Sequence, residues 1–259
     1  MTTYPSTEAL AETYNTPGVQ SPLEAIDAYE EYQREWANSE LGSYAISTRM
    51  ELPRGRIRTW KEGGKPDVVR GIETAREHGW LEADVDSEIF AALNRLVAGV
   101  FSGGSISDQT FMPSFSAPDD RVDAQLRADL ETLGSGCRIA HSNSGNVEEL
   151  VPKTDASVLG RVLVALGAPK GPKVENARRL PSYLYQHAES TQHEFARVYV
   201  ANRAVYRADR DIMQIQEKRS DRYLDALAEL LRSTTGAEVW RGERVVHFDP
   251  AALSKLDLE

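Results

Sequence analysis

The apolar residues in the first third of the chain recur at helical spacing. Residues 22–38 carry an apolar stripe at every third or fourth position, which predicts an amphipathic helix that begins with Pro22. Residues 39–82 predict shorter helices, which are interrupted where proline and glycine cluster. Residues 1–22 are rich in proline, threonine and serine and predict a flexible arm. The sequence therefore predicts an all-α region over 23–84 that follows this arm.

From about residue 85 the pattern changes to helices that alternate with short strands. An apolar helix over residues 89–101 is followed by two strand-like segments, a second helix, two more strands and a third helix that ends at Gly167. This order can be written αββαββα.

The same order begins again after a linker over residues 168–181. Helix, strand, helix and hairpin patterns follow, and the glycines that close corresponding helices, Gly134 and Gly236, lie about 100 residues apart. Repetition at a fixed period predicts an internal duplication, with repeats over 85–167 and 182–259. The predicted fold class is α+β, with an all-α N-terminal domain followed by a duplicated αββαββα domain.

Residues 45–60 combine two short helices with a turn. The apolar residues suited to lock the helices together are Ile46, Met50, Leu52, Ile57 and Trp60. With the small Ser47 at the expected crossing position, this pattern resembles the helix-turn-helix family of DNA-binding proteins. Glu51 departs from the pattern, because the family usually has glycine there.

Basic residues cluster on and beside the second of these helices. They are Arg49, Arg54, Arg56, Arg58 and Lys61. Because the apolar anchors face inward, these cations are predicted to face outward, where arginine can hold phosphate or read guanine in the major groove. Only Glu51 offers a counter-charge within the segment. The resemblance implies double-stranded DNA as the partner, and an ordinary solvated helix face is the alternative.

Three later segments resemble the LAGLIDADG family of homing endonucleases. They are residues 93–106, 167–184 and 194–205, which are similar to the first motif helix, the inter-repeat segment and the second motif helix. The resemblance implies that the two motif helices pack side by side through small residues. Ala98 and Gly99 would serve in the first copy, and Ala201 or Ala204 in the second.

In that family each motif helix ends in an acid that holds divalent metal for DNA cleavage. Here the helices end at residues 101–104 and 201–204, which contain no acid, and Arg203 adds a positive charge. Asp209 and Asp211 follow several residues later and are predicted to be turn and strand residues. The resemblance implies a scaffold that binds no metal or cofactor and is not an enzyme. An endonuclease with unrecognised acids and a protein-interaction scaffold are the alternatives.

Members of the LAGLIDADG family lay DNA across their sheets. The resemblance therefore implies that a strand predicted over residues 210–216 is part of the candidate interface. Alternation along a strand puts Arg210, Ile212, Gln214 and Gln216 on one face. Arg210, Gln214 and Gln216 are therefore predicted DNA contacts. Three more arginines are expected to add charge to this surface: Arg138, Arg241 and Arg244.

Composition modifies this picture. The net charge of −10 argues against a nucleic-acid partner. However, 23 of the 30 basic residues are arginine, a bias similar to that of salt-loving archaea, whose global charge reports adaptation to the solvent. The chain has no apolar run of membrane-spanning length and no visible secretory signal, so a cytoplasmic protein without a membrane partner is predicted. The single cysteine, Cys137, and five scattered histidines indicate neither a disulfide nor a zinc site.

The sequence predicts a non-catalytic DNA-binding protein that acts as a transcriptional regulator. Some bacterial regulators likewise join a helix-turn-helix to a degenerate LAGLIDADG domain. One helix-turn-helix per chain favours a homodimer on a palindromic site, whereas two repeats in one chain favour a self-sufficient pseudo-dimer. The sequence leaves both assemblies open.

Overall fold

The first residues of the chain pack against its body in a computed structural model of the protein. The residues that the structure describes are 2–15, 21–38, 41–116, 120–140, 148–176, 179–186 and 189–258. Strand β1 (Thr3–Tyr4) pairs with β2 (Ala83–Asp84), and helix α1 (Thr7–Ala11) buries Leu10 and Ala11. The prediction of a flexible arm is therefore wrong for residues 2–15, because their apolar side chains are removed from water.

Four helices follow this segment. They are α2 (Pro22–Asn38), α3 (Ser43–Arg49), α4 (Arg54–Lys61) and α5 (Asp67–Glu77). Pro53 and Pro66 immediately precede α4 and α5, in agreement with the predicted interruptions. A small core forms among α2, α3 and α4, whereas α5 turns Val68, Ile72 and Ala75 into the main core. The helical region is therefore packed onto the rest of the protein through α5.

The chain then forms a first series of seven elements. They are α6 (Glu88–Ser102), β3 (Ser105–Ile106), β4 (Pro113–Ser114), α7 (Asp120–Thr132), β5 (Cys137–Ala140), β6 (Glu149–Pro152) and α8 (Ala156–Ala165). The pairs β3–β4 and β5–β6 are antiparallel, and Phe115 and Leu150 exchange two backbone hydrogen bonds of 2.8 Å between them. The sequence Asn-Ser-Gly-Asn at residues 143–146 predicts a turn between two strands, and it lies outside the described residues.

A short helix, α9 (Lys173–Asn176), and a 3-10 turn (Ser182–Tyr185) lead to a second series. Its elements are α10 (Glu189–Arg203), β7 (Ala204–Arg207), β8 (Ile212–Gln216), α11 (Asp221–Thr235), β9 (Val239–Arg241), β10 (Val245–Phe248) and α12 (Ala251–Lys255). Its strands form one antiparallel sheet in the order β7-β8-β10-β9. Both series read αββαββα, and the protein is α+β. No helix within the described ranges has the length and apolarity that a membrane crossing needs.

Helices α6 and α10 lie side by side at the centre of the molecule. In the middle of α6, Asn94 Nδ2 donates to the backbone oxygen of Thr191, which lies near the start of α10, at 2.9 Å. At their ends, Asn202 Nδ2 donates to Ser102 Oγ at 2.8 Å. The two contacts follow the same chain order, from residue 94 to 102 on α6 and from 191 to 202 on α10. The helices therefore run parallel, which brings both C-terminal ends together. Gly99 does not serve this pairing, since a Cβ there would meet Phe115 and a side chain of α7 instead.

Close packing at Gly160 gives a first prediction. A Cβ on Gly160 of α8 would lie 1.7 Å from the backbone oxygen of Phe111, so a methyl group can enter only if α8 moves away. We expect Gly160→Ala to lower the free energy of unfolding by about 2 kcal/mol, measured by urea denaturation. Gly55→Ala on α4 is the matched control, because a Cβ there meets nothing within 4 Å. It should stabilise the protein by about 0.5–1 kcal/mol, and equal effects would contradict the packing argument.

Candidate nucleic-acid interface

Helices α3 and α4 are held together by apolar side chains at the positions that the sequence pattern indicates. Ile46, Ile57 and Trp60 are buried, and Met50 and Leu52 pack against them. Two tyrosines of α2 complete this core, and one of them, Tyr29, meets the Trp60 ring edge-on at 5.3 Å. The buried side of α4 is thereby fixed, which leaves its other residues toward solvent.

The turn between α3 and α4 is tight and hydrogen-bonded. Glu51 adopts a left-handed conformation with φ of 54°, a region that favours glycine. This conformation explains why glycine suits that position, where Glu51 departs from the helix-turn-helix pattern. The turn is closed by Ser47, whose Oγ donates to the backbone oxygen of Leu52 at 2.7 Å and whose own backbone oxygen accepts from Leu52 N at 3.1 Å.

The basic residues of α4 lie on its solvent side. Arg54, Arg58 and Lys61 are exposed and Arg56 is half-exposed. Within the described part of the chain, Arg54 and Arg56 form no ion pair, and Arg54 lies 6.0 Å from the centre of the Tyr44 ring. Lys61 sits 4.8 Å over the ring of a tryptophan on α2. These cations are available to a phosphate or a base edge.

Two of the five predicted contacts carry acidic neighbours that the local sequence pattern did not include. Arg58 pairs with Glu62 at 2.9 Å, and Arg49 pairs with Glu35 of α2. Both pairs are exposed enough for water to screen them, so each contributes little and can be exchanged for a phosphate contact. Glu62 is a local counter-charge one helical turn after Arg58, whereas Glu35 is brought to Arg49 by the tertiary structure.

The sheet β7-β8-β10-β9, which we call the second sheet, has one buried face and an opposite, outer face. The outer face carries the predicted glutamines. Met213 and Ile215 of β8 are buried, whereas Gln214 and Gln216 point to the opposite face, in agreement with the predicted alternation. Strand register extends this face into a row across all four strands. Its members, in sheet order, are Val205, Gln214, His247 and Trp240. The row offers amide, imidazole and aromatic groups to a partner.

His247 lies at the centre of this row. Its ring stacks on Trp240 with centroids 5.7 Å apart. Burial lowers the pKa of His247 below its usual value, and nearby Arg210 lowers this pKa further, so the ring is neutral at pH 7. The row is therefore uncharged.

The structure corrects two predicted positions at this surface. Arg210 lies in the β7–β8 turn and not in the strand, with its Nε 3.7 Å from Asp209 Oδ2, so it extends from the edge of the face. Arg241 points toward α11, where it forms ion pairs with Asp221 and Asp225. It points there because β9 pairs it with buried Val246, so alternation places it on the helix side of the sheet. Arg241 therefore adds no charge to the outer face.

The first series presents a smaller outer face. A shallow cleft of about 540 Å³ lies over β3–β4 and β5–β6. One side is lined mainly by serine and threonine, including Ser105 and Ser114, and the other side by Arg138, Glu149 and three apolar residues. Arg138 lies in β5, so its charge belongs to this cleft, where Glu149 also lies, and not to the sheet that carries Gln214.

The joined ends of α6 and α10 lack the acids that the endonuclease family uses. Ser102 and Asn202 occupy the two ends and hydrogen-bond to each other. Asp209 and Asp211 lie in the β7–β8 turn, where they bind Arg207 and the hydroxyl of Tyr206. Among the described residues, no group of three or more histidine, cysteine, aspartate or glutamate side chains could hold a metal ion.

One acid near these helix ends is not indicated by the sequence. Glu217 follows β8 and is buried, and its carboxylate accepts from the Tyr199 hydroxyl at 2.6 Å. Burial raises the pKa of Tyr199 well above its usual value, so the hydroxyl stays protonated and donates. Arg203 and Arg219 each lie 3.3 Å from the same carboxylate. Glu217 is thus fully engaged by protein groups.

Two of the remaining histidines contact neighbouring protein groups, and the cysteine is half-buried in a strand. His78 follows α5, stacks on Trp80 at 4.2 Å and lies 3.0 Å from Asp155 Oδ2. His193 contacts the backbone oxygen of Lys255 at 2.8 Å. Cys137 is a half-buried free thiol in β5. His141 and His187 lie outside the described residues.

The chain resembles several solved structures, although no family model and no curated protein matches it. Full-length DUF199/WhiA from Thermatoga maritima is 10% identical over 66% of this chain, with a TM-score of 0.43. The N-terminal LAGLIDADG domain of DUF199/WhiA is 12% identical over 66% of this chain and 83% of its own length, with a TM-score of 0.42. The match spans 56% of the full-length structure.

Proposed function

We propose that this protein binds double-stranded DNA sequence-specifically, without cleaving it, and acts as a transcriptional regulator. One observation carries the proposal: α4 buries Ile57 and Trp60 and turns Arg54, Arg56 and Arg58 outward, two of them without an ion pair among the described residues. In the proposed complex α3 and α4 form a helix-turn-helix, and α4 enters the major groove. Arg49 and Lys61 at its margins contact phosphates.

The outer face of the second sheet is a second proposed contact surface. Gln214 and Gln216 are amide side chains that can pair with the edge of adenine. The neighbouring row residues, Trp240 and His247, add uncharged contact area, and Arg210 reaches from the turn beside them. Such uncharged contacts depend less on salt than phosphate contacts do. They suit a protein whose net charge is −10.

The proposal that the protein does not cleave DNA rests on the ends of the paired helices. Two-metal and one-metal cleavage both need carboxylate oxygens at the phosphate. Ser102 and Asn202 take those positions, and the nearby Glu217 is already bound by Tyr199 and two arginines.

The proposed domain organisation of the protein is the one that the sequence pattern predicts. The helix-turn-helix domain spans residues 23–84, and internally duplicated LAGLIDADG-like repeats span residues 85–167 and 182–259 with a linker between them. With one α4 per chain, we propose that two chains bind a palindromic site as a homodimer.

The experiment that tests DNA binding is selection from a randomised duplex library with the full chain, followed by anisotropy titration of the enriched duplex. We expect one sequence motif to be enriched. We also expect the logarithm of the affinity to fall linearly with the logarithm of salt concentration, because phosphate contacts release counterions. Failure to enrich any motif over a scrambled duplex would contradict sequence-specific binding.

A cleavage assay tests the absence of nuclease activity. Supercoiled plasmid that carries the enriched motif should remain supercoiled with Mg²⁺ or Mn²⁺, because none of the residues that the structure describes places a free carboxylate at the helix ends. Nicked or linear product that forms with either ion and disappears with EDTA would instead support the endonuclease alternative.

A further inference from the structure

A cleft of about 670 Å³ opens beside the joined ends of α6 and α10, and we call it the tip cleft. Its cationic lining residues are Lys173, Arg203, Lys218, Arg219 and Arg244. Its acidic lining residues are Glu217 and Glu243. A concave site of this volume is large enough for a small ligand, and its excess of positive charge selects an anion.

Arg219 forms the inner wall of the tip cleft. Its side chain is only 3% exposed, and Nη2 donates to the backbone oxygen of Phe101 near the end of α6. The guanidinium also lies 4.4 Å from the centre of the Tyr223 ring, which fixes its plane. Its Nη1 is buried without a hydrogen-bond partner among the described residues. A buried N–H group that lacks an acceptor, such as this Nη1, is costly unless an acceptor atom of a ligand satisfies it.

Lys173 approaches the tip cleft from the segment between the two repeats. It is half-buried in α9, and its Nζ donates to the backbone oxygen of Val100 at 3.2 Å. Burial lowers the pKa of Lys173 to about 8; Arg219 and Arg203 contribute to this lowering, and Glu217 opposes it. An ammonium group held among like charges gains most from a neighbouring anion.

The two acids do not neutralise this lining. Glu217 is shared by Arg203 and Arg219, so one carboxylate balances one of these two cations and leaves the other uncompensated. Glu243 is exposed, where water screens its charge. The ends of the paired helices are therefore cationic, which disfavours a metal ion and favours an anion with several acceptor oxygens.

We propose that the tip cleft binds a phosphate group directly, through Lys173, Arg203, Arg219 and Arg244, without a metal ion. Several donors from separate elements match the several oxygens of a phosphate, and arginine offers them in a planar fork. The phosphate can belong to a free phosphorylated metabolite or to the backbone of DNA, since both present the same chemistry. No residue of the tip cleft lies on α4, so this site and the proposed DNA-reading helix can be tested separately.

The test is isothermal titration calorimetry of the full chain, with EDTA present, against inorganic phosphate and then adenosine monophosphate. We expect saturable binding of one equivalent. Arg203→Gln combined with Arg244→Gln should weaken it about tenfold or more, because each removes a charged donor. Both side chains are exposed, so the double variant is expected to fold, which circular dichroism checks. Arg222→Gln, an exposed arginine on α11 outside the cleft, is the charge control and should bind like wild type.

The pH dependence gives a readout that a general charge effect would not produce. Sulfate is the probe, because it does not titrate in the relevant range. The groups that face Lys173 are Arg203, Arg219, Glu217, Lys218, Glu243 and Arg244. The free protein holds the Lys173 pKa at about 8, so Lys173 is charged below this pH and neutral above it. Sulfate affinity should therefore fall as the pH rises through 8, and Lys173→Met should flatten this dependence.

Duplex DNA separates the two sources of phosphate. If free phosphate and adenosine monophosphate bind and the double variant weakens both, the ligand is a free phosphorylated molecule. If only duplex binding falls in the double variant, the tip cleft holds a backbone phosphate. The proposal is overturned if the double variant and Arg222→Gln behave alike toward all three probes, or if binding appears only when Mg²⁺ replaces EDTA.

Discussion

Replacing Arg54, Arg56 and Arg58 of α4 by alanine is expected to weaken duplex DNA binding about 100- to 1,000-fold. Each arginine contributes a hydrogen bond to phosphate or base whose net value, after exchange with water, is about 1 kcal/mol, and about 3–4 kcal/mol for the three corresponds to this factor. If all three contact phosphates, the slope of log affinity against log salt should also become shallower by about 2.7. Anisotropy titration of the enriched duplex at several salt concentrations measures both quantities. Alanine favours helix, so α4 itself should persist.

A charge-matched variant makes the test specific. Replacement of Arg70, Arg127 and Arg222 by alanine removes the same three charges from α5, α7 and α11, away from α4. It changes the long-range field by a similar amount and removes no proposed contact, so we expect an affinity within about threefold of wild type at physiological salt, where such fields are screened. If both triple variants retain DNA equally, α4 is not the reading helix.

Asp129→Asn is expected to lower the free energy of unfolding by about 3 kcal/mol. Asp129 and Arg95 form an ion pair whose closest distance is 2.7 Å, with side chains only 1% and 8% exposed. Arg95 Nε also donates to both carboxylate oxygens, at 3.0 and 3.1 Å, and Gln125 donates to one of them. The substitution removes the negative charge, and among the described residues the buried guanidinium then keeps ion pairs only with the more exposed Glu88 and Glu194.

Urea denaturation measures this loss, and the same helix provides its control. Asp123→Asn breaks the i,i+4 pair with Arg127, whose closest distance is 2.6 Å but whose side chains are 32% and 38% exposed. Water screens that pair, so the control should cost about 0.5 kcal/mol or less. Similar losses for Asp123→Asn and Asp129→Asn would show that burial of the Arg95 pair does not decide its contribution.

Helix positions were the most predictable part of the fold. The apolar stripes of α2, α6, α7 and α11 fix these elements because burial of one face requires that spacing. Strand β7 was missed, since its four residues continue directly from α10 and contain no turn signal. The packing of α1 was missed for a related reason: a five-residue helix is too short to show a period, and only its contact with the body buries Leu10.

The sequence predicted correctly which side chains of the candidate interface face outward wherever the periodicity of a single helix or strand determines this. The outward position of the α4 cations follows from the burial of Ile57 and Trp60 on the same helix, and the outward position of Gln214 follows from strand alternation. The true place of Arg210 was not accessible, because it depends on where the β7–β8 turn ends. The sequence also could not reveal Glu35 as the partner of Arg49, since α2 and α3 meet only on folding.

What each element must bury follows from the amino-acid sequence alone, because periodicity and turn residues act over a few neighbours. The absence of acids from the ends of the two motif helices is also a property of the sequence, as residues 101–104 and 201–204 contain none. The meeting of Lys173, Arg203 and Arg219 beside those ends depends instead on how the chain packs. These residues come from three separate segments, and long-range packing, which no local pattern encodes, sets the distances between their charges.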